Sequence, residues 1–148
     1  MLRQATTSDI PVLVDLMQQF YAESDYSLDR VIAAEAFRSV IGDERLGSVW
    51  FVSDEGRPAG YLVLVYRFAM EYSGIIACLD DLFVQPEYRN KGLATGALIE
   101  LRSICQAARM CAITVEAGTQ NTSACGVYQR VGFLPAPGRT LMALRLSE

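Results

Sequence analysis

The order in which hydrophobic patterns change along the chain constrains its fold more than any other feature. Four segments carry apolar residues at helical spacing, and runs rich in β-branched and aromatic residues separate them. The predicted order is strand, two helices, three strands, helix, strand, helix and strand. We therefore expect an α/β (α+β) fold: a mixed, mostly antiparallel sheet of about six or seven strands with helices on both faces.

Local signals place the boundaries of these elements. The stretch "TTSDIP" supplies capping hydroxyls, an acid and a proline just before the first helical pattern, and Gly132 closes the fourth helix as a C-cap. The second, third and fourth helices are expected at about 28–41, 93–108 and 121–131. Strands are expected at 2–4, 48–53, 58–66, 75–84, 111–117 and 140–146.

Length and composition limit the class of protein. A chain of 148 residues suggests one domain spanning 1–148. The net charge of −4 favours a cationic ligand over nucleic acid. No segment approaches the roughly 20 apolar residues of a membrane span, and the N-terminus lacks the apolar run of a signal peptide. We expect a cytoplasmic protein with four reduced, buried cysteines: Cys78, Cys105, Cys111 and Cys125.

The chain contains no histidine. This absence excludes Ser-His-Asp and Cys-His nucleophilic catalysis and most zinc sites, so we expect no metal. Acid–base chemistry must then fall to Asp, Glu, Tyr, Cys, the single lysine or water.

The stretch "QPEYRNKGLATGAL", residues 85–98, joins a predicted strand to a predicted helix. Backbone N–H groups at a helix N-terminus attract phosphate, and Arg89 and Lys91 add positive charge there. Gly92 removes a Cβ where a ligand can approach the backbone. Neither the P-loop pattern nor the Gly-x-Gly-x-x-Gly pattern is present. Composition alone leaves a phosphate site and a solvated turn equally open.

The longer stretch "LDDLFVQPEYRNKGLATGAL" resembles the acyl-coenzyme A binding motif of the GNAT superfamily of N-acetyltransferases. The motif is Arg/Gln-x-x-Gly-x-Gly/Ala, matched here by Arg89, Gly92 and Ala94. Downstream, "NTSACGVYQRVGF" is similar to the second motif of that superfamily, at an interval that fits one helix and one strand. The resemblance implies a single GNAT-like domain that takes acetyl-CoA as acyl donor.

The resemblance also implies roles for particular residues. Asn121 would bind the cofactor arm, and Tyr128 would lie beside the thioester sulfur as acid or hydrogen-bond donor. Asn90 stands where many members have glycine. The remaining residues implied to bind the cofactor are those whose backbone would contact the pantetheine and acetyl groups (Leu82, Phe83, Val84) and those around the pyrophosphate (Arg89, Asn90, Lys91, Gly92, Leu93, Ala94, Thr95).

Two carboxylates within an otherwise apolar strand, Asp80 and Asp81, are candidates for the base, because buried charge is costly without a function or a partner. On a regular strand they point to opposite faces, and a bulge would change that. One of them is expected to pair with an arginine in the core. An acidic residue matches Asp80 in polyamine-acetylating relatives, which places Asp80 first, with Asp81 and water as alternatives.

The acceptor site is expected in an acidic and aromatic segment between the first two helices. Its candidate residues are Glu23, Asp25 and Tyr26, joined by Tyr72 from another loop. Two solvated loops are an equally open interpretation. The sharper one is a pocket for a cationic amine.

The predicted function is transfer of acetyl from acetyl-CoA to a primary amine, a small cationic one. An alternative is acetylation of a protein N-terminus or lysine, and an alternative of another class is a non-catalytic module that binds acyl-CoA. The expected partner is a small-molecule amine acceptor, with no nucleic acid and no membrane. A homodimer is compatible with the resemblance, because dimers are common among similar proteins.

Overall fold

The computed structural model describes residues 1–118 and 120–147. The helices are α1 (Ile10–Ala22), α2 (Arg30–Gly42), α3 (Leu93–Ala107) and α4 (Thr122–Val131). The strands are β1 (Leu2–Gln4), β2 (Gly47–Asp54), β3 (Arg57–Ala69), β4 (Gly74–Val84) and β5 (Ile113–Val115). Short 3-10 turns at Thr7–Asp9 and Pro86–Tyr88 precede α1 and follow β4.

The strands form one sheet in the order β1-β2-β3-β4-β5. Neighbouring strands are antiparallel except for β4 and β5, which are parallel. The prediction of a mixed, mostly antiparallel sheet is therefore confirmed. The sheet has five strands in the described part of the chain, not the six or seven expected.

The missing strand is the one predicted at 140–146. Residues 134–147, which we call the C-terminal arm, contain no helix or strand, and all of them are exposed. A strand pattern becomes a strand only when its backbone finds an edge to pair with. Within the described residues of this single chain, the arm pairs with no strand.

Helices cover both faces of the sheet, as predicted. Successive residues of a strand point to opposite faces. Tyr61 and Val63 of β3 therefore pack with α1 and α2, whereas Leu62 and Leu64 pack with α3. Each face carries its own apolar core.

A bulge in β4 changes which face its residues occupy. The β3–β4 register moves from Val63↔Asp81 to Leu64↔Leu79, so Asp80 has no partner on β3. Before the bulge, Leu79 packs in the core beneath α3. After it, Phe83 packs in the core beneath α1 and α2. The extra residue thus switches the alternation of the strand and turns Asp81 toward the α1 side.

Strands β4 and β5 pair over three residues only, from Ala77↔Ile113 to Leu79↔Val115. Beyond this point β4 continues to Val84 and stays paired with β3. Within the described residues, the final stretch of β4 therefore has a strand partner on one side only. Its other edge can accept an extended ligand.

The structure also bears on two further expectations, one about the burial of the cysteines and one about membrane-spanning helices. Only one of the four cysteines, Cys105, is buried; Cys111 is exposed, and Cys78 and Cys125 are half-buried. The apolar runs that surround them predicted burial for all four, but Cys111 lies in the turn before β5. None of the helices in residues 1–118 and 120–147 is long and apolar enough to cross a bilayer.

Candidate active site

The turn between β4 and α3 presents a series of backbone amides. Gly92 is the N-cap of α3 and has a φ of 76°, while Asn90 has a φ of 63°. Glycine and asparagine are the residues that adopt this left-handed conformation most readily. The departure at Asn90 from the glycine of many relatives is thus compatible with the turn.

No hydrogen bond among the described residues engages the backbone N–H groups from Asn90 to Thr95. The first hydrogen bond of α3 runs from the Gly96 amide to the Gly92 carbonyl. Gly92 occupies the N-cap position but has no side chain that could accept a hydrogen bond from these amides. Six consecutive amide donors therefore lie together at the positive end of a 15-residue helix.

Arg89 makes contacts other than the expected ones. Its Nε donates to the Val84 carbonyl over 2.8 Å, and its Nη2 lies 2.6 Å and 2.9 Å from the two carboxylate oxygens of Glu23. Its guanidinium also lies 5.7 Å from the centre of the Phe83 ring. The structure thus joins a residue predicted to bind phosphate to one predicted to bind the acceptor.

This ion pair is partly exposed, since the side chains of Arg89 and Glu23 keep 41% and 39% of their surface in water. An exposed pair contributes only about 0–1 kcal/mol, so a competing phosphate can separate it. Lys91 is similar: its Nζ lies 3.5 Å from an Asp54 carboxylate oxygen and 53% of the side chain is exposed.

A cleft of about 340 Å³ opens between the end of α1 and β4. This volume is in the range of small-molecule sites, roughly 300–1,000 Å³. Its walls are mainly aromatic, and one carboxylate reaches it. The lining residues are Phe20, Tyr21, Ser24, Tyr26 and Asp81.

Asp81 is held in place by Tyr61, whose hydroxyl donates to Asp81 Oδ2 over 2.9 Å. Burial raises the pKa of Asp81, the hydrogen bond from Tyr61 opposes this rise, and the charge of Asp80 adds to it. Burial and the charge of Asp81 raise the pKa of Tyr61 as well, so Tyr61 remains a donor. Asp81 is therefore a carboxylate with strengthened basicity in an aromatic cleft.

The other acceptor candidates are distributed differently. Asp80 is exposed at the bulge. We expected one of the two aspartates to pair with an arginine, but the partner of Asp81 is the hydroxyl of Tyr61. Tyr26 lines the cleft, while Asp25 is exposed in the turn after α1 with a φ of 57°. Tyr72 lies in the turn before β4. Since Gly74 and Asp81 are separated by about 20 Å of strand, the expectation that Tyr72 joins this cleft is not met.

Asn121 and Tyr128 lie on α4, on the α3 side of the sheet. Asn121 caps the helix by accepting from the Ala124 amide over 3.2 Å with its side-chain oxygen, so the cap does not use its side-chain NH₂. Tyr128 packs against Phe133, with ring centres 5.5 Å apart, in the core that also includes Leu82 and Val84. Burial raises the pKa of Tyr128, and Cys125 adds to the rise.

Sequence reasoning missed two tyrosines of the cleft. Tyr21 lines it directly, and burial together with the charges of Asp81 and Asp80 raises the pKa of Tyr21. Tyr61 supports Asp81 from β3. The aromatic pair "FY" at the end of α1 was a signal for Tyr21, but the contact between Tyr61 and Asp81 depends on the bulge and had no sequence signal.

The sequence matches the model of the family described as "Acetyltransferase (GNAT) family" over residues 11–133. No curated protein matches the sequence at a significant level.

Solved structures share the fold over the whole chain. The integron cassette protein HFX_CASS3, from the mobile metagenome of Cole Harbour Salt Marsh, is 37% identical with a TM-score of 0.88, covering 99% of this chain and 91% of that one. A predicted acetyltransferase with acetyl-CoA from Clostridium acetobutylicum is 16% identical with a TM-score of 0.79, covering 97% and 95%. The aminoglycoside acetyltransferase meta-AAC0020 from an uncultured soil metagenomic sample, in complex with sisomicin, is 13% identical with a TM-score of 0.80, covering 99% and 96%.

Proposed function

The chain belongs to the GNAT family of acetyltransferases, and from this membership we propose that it acetylates the primary amine of a small cationic acceptor, with Asp81 as the base. The observation that carries the proposal is the position of Asp81. Among the residues that the structure describes, it is the one carboxylate lining the aromatic cleft, and Tyr61 orients it.

The residues fit acetyl-CoA as donor. The six unengaged amides from Asn90 to Thr95 match the acceptor oxygens of a pyrophosphate. The edge of β4 after Leu79 offers backbone groups to an extended pantetheine arm. When bound, acetyl-CoA supplies the acetyl group as a thioester.

Arg89 has two roles in this proposal. In the structure its guanidinium donates to the Val84 carbonyl and forms an ion pair with Glu23. We propose that it turns to the phosphates when they arrive, since an arginine can form two charge-assisted hydrogen bonds with a phosphate, whereas its exposed pair with Glu23 contributes only about 0–1 kcal/mol. Glu23 is then released to face a cationic acceptor.

The acceptor must lose a proton before it can react. An amine similar to lysine has a pKa of about 10.4 and is almost wholly protonated at neutral pH. The ammonium group is attracted by Asp81 and by the ring faces of Phe20, Tyr21 and Tyr26. Asp81 then takes one proton from the ammonium and leaves a neutral amine with a free lone pair. Its raised pKa favours this transfer.

Transfer of acetyl would form a C–N bond and break the C–S bond, the acylated nitrogen would release its second proton to water, and the sulfur would leave as a thiolate. We propose that the Tyr128 hydroxyl donates a hydrogen bond to it. Because burial raises the pKa of Tyr128, complete proton transfer to a thiolate whose thiol has a pKa of about 8.5 is uphill, and the hydrogen bond rather than the transfer supplies the stabilisation. Asn121 contributes its side-chain NH₂ to the cofactor arm.

The acceptor class follows from charge and shape. Asp81 lines the cleft, Glu23 and Asp25 are the sequence neighbours of the lining residue Ser24, and the net charge of the chain is −4. The aminoglycoside acetyltransferase meta-AAC0020 was solved in complex with sisomicin, but at 13% identity it supports the shared fold and not the acceptor. It is a reason to include an aminoglycoside among the amines tested.

The test is an acetylation assay on four acceptors: spermidine, an aminoglycoside, a lysine-bearing peptide and a neutral aryl amine. We expect the small cations to react with kcat/KM ten- to a hundredfold above the neutral amine. Salt should raise their KM, because it screens the attraction between the ammonium and the carboxylates. Each substrate is varied with the other saturating, since salt also weakens binding of the anionic donor.

Asp80→Asn is the matched control for Asp81→Asn, because the two carboxylates are adjacent in sequence and differ in burial. Preference for the neutral amine, unchanged in Asp81→Asn, would contradict the proposed acceptor and base. Fastest turnover of the peptide would favour a protein acceptor. Binding of acetyl-CoA without turnover of any acceptor would favour a non-catalytic module.

A further inference from the structure

The aromatic walls of the cleft belong to a row of rings that contact one another. Phe83 stacks on Phe20 with ring centres 5.3 Å apart, and Phe20 meets Tyr21 edge to face at 5.9 Å. Tyr21 in turn meets Tyr26 edge to face at 6.4 Å. Phe20, Tyr21 and Tyr26 are three of the five residues that line the cleft. A ligand in the cleft therefore rests mainly against aromatic surface.

The cleft offers one charge to a ligand. Asp81 is the only carboxylate among the described residues that line it. Glu23 and Asp25 adjoin the lining residue Ser24 in sequence, but neither belongs to the lining. One ammonium group therefore finds a partner inside the cleft. A second or third ammonium group would be buried without one, and an unpaired buried charge is costly.

The cleft is also small and poorly suited to a ligand covered with hydroxyl groups. Its volume of about 340 Å³ is near the lower end of the range of small-molecule sites, roughly 300–1,000 Å³. Hydroxyl groups placed against ring faces lose their hydrogen bonds with water and gain few in return. A flat aromatic ring gains there, because aromatic pairs attract each other beyond the effect of the area that they bury.

We propose that the acceptor is a primary amine whose single ammonium group is joined by a short chain to an aromatic ring. This inference rests on the proposed function and narrows its acceptor class. The ammonium group pairs with Asp81, and the ring of the acceptor packs against Tyr21 and Tyr26. Specificity then depends on these two tyrosines, whereas Asp81 supplies the chemistry that any amine requires.

The first experiment compares kcat/KM for three amines, with acetyl-CoA saturating. Phenethylamine carries one charge and an aromatic ring, cyclohexylethylamine has a saturated ring in its place, and spermidine has three charges and no ring. We expect phenethylamine to exceed cyclohexylethylamine by roughly two- to tenfold and spermidine by at least about tenfold. If either of the other amines matched or exceeded phenethylamine, this inference would be overturned and the proposed function would stand.

Tyr21→Leu and Tyr26→Leu test the two rings, since leucine keeps an apolar contact and removes the ring. Each should lower the kcat/KM ratio of phenethylamine to cyclohexylethylamine by roughly two- to tenfold. A variant that merely disturbs the fold or Asp81 lowers both rates alike and leaves the ratio unchanged. Phe68→Leu is the control, because it removes an exposed ring (57%) from β3 near the β3–β4 turn. An unchanged ratio in both tyrosine variants would overturn the proposal.

Ser24→Asp tests the number of charges by adding a second carboxylate to the lining. It should raise the kcat/KM ratio of spermidine to phenethylamine by roughly two- to fivefold, as expected for an exposed charge pair. Ser39→Asp on α2 makes the same change in net charge outside the cleft and should not alter the ratio. An equal response of the two variants would contradict the role given to the single carboxylate.

Calorimetric binding of phenethylamine and cyclohexylethylamine to the protein saturated with coenzyme A gives a readout without turnover. We expect phenethylamine to bind roughly two- to tenfold more tightly. This preference together with no turnover of any amine would contradict the proposed function but support an aromatic amine as the ligand of the cleft. Equal affinities would overturn the inference whether or not the amines are acetylated.

Discussion

Glu23 and Arg89 form an ion pair with a shortest N–O distance of 2.6 Å, and this pair links the end of α1 to the amide-rich turn before α3. The two side chains thereby connect the acceptor cleft with the proposed phosphate site. Removing Glu23 frees Arg89, so Glu23→Gln is expected to tighten binding of acetyl-CoA, by no more than about fivefold for an exposed pair of about 0.2–1 kcal/mol. Calorimetric titration measures it.

Asp43→Asn is the control for this change, because Asp43 forms another exposed ion pair, with Arg45 at 2.9 Å, that does not involve the turn before α3. It should leave binding of the donor unchanged. Arg89→Ala should weaken that binding. Weaker binding in Glu23→Gln would instead mean that the pair holds the turn in its binding conformation.

Gly92 is expected to tolerate no side chain. A substitution there meets no neighbouring atom, but its φ of 76° is unfavourable for any residue with a Cβ. Gly92→Ala should cost about 1–2 kcal/mol of stability, or roughly 2–8 °C in Tm, and should weaken binding of acetyl-CoA. Gly92→Val carries the same strain.

Gly126→Ala provides the comparison for stability. Gly126 lies inside α4 without a positive φ and without atoms near its missing Cβ. Alanine there should raise stability by about 0.5–1 kcal/mol. Equal Tm changes in the two variants would show that the left-handed conformation of Gly92 does not persist in solution.

Asp81→Asn is expected to lower kcat by about 10²–10⁴-fold, the usual contribution of a general base. The wild-type rate should fall as pH drops through the raised pKa of Asp81, and this limb should be absent from the residual rate of the variant. Asp80→Asn should change kcat little, because Asp80 is exposed at the bulge. The reverse pattern would restore Asp80 as the base.

Asp81→Asn should also stabilise the fold at neutral pH. A carboxyl whose pKa is raised by folding binds its proton more tightly in the folded state, so ionisation destabilises the fold as pH rises through the unfolded and then the folded pKa. Asparagine carries no charge and can still accept from Tyr61. Thermal unfolding should show Asp81→Asn more stable than wild type at pH 7, with the difference vanishing in acid.

Tyr128→Phe is expected to lower kcat by about ten- to a thousandfold with little change in affinity for acetyl-CoA. The ring contact with Phe133 is retained in phenylalanine, so stability should hardly change. Tyr66→Phe is the control: its hydroxyl lies 2.8 Å from the Ser48 hydroxyl in the same core, away from the cleft. Full activity of Tyr128→Phe would assign Tyr128 to packing alone.

Much of the fold was predictable because periodicity reports which face of an element is buried. The α3 segment illustrates this, since Leu93, Leu98 and Leu101 all lie in the core as their spacing predicts. The arm was not predictable in the same way. The pattern of residues 140–146 indicates that a strand can form there, but the partner is decided by tertiary or quaternary contacts outside the segment.

The candidate site also has a part that local sequence predicts and a part that depends on contacts outside the segment. The turn at 85–92 has a local signature, because its conformation depends on Asn90 and Gly92 themselves. The choice between Asp80 and Asp81 depends on the register between β3 and β4. Register follows from how the two strands pair and pack their side chains in both cores, so neither aspartate carries a local signal for it.

The bulge at Asp80 also affects how this protein can change over time. Residues on either side of it obey opposite rules of alternation, so β4 behaves as two half-strands that are out of step by one position. A deletion of one residue before the bulge can be absorbed by losing it: Asp81 would stay opposite Val63, but Asp80 would take the place of Leu79 opposite Leu64, under α3. Substitutions can therefore accumulate along β4 in evolution, whereas a change in its length would place the Asp80 carboxylate in an apolar core in a single event. A designer moving this site to a regular sheet would have to shift the sequence after residue 79 by one position.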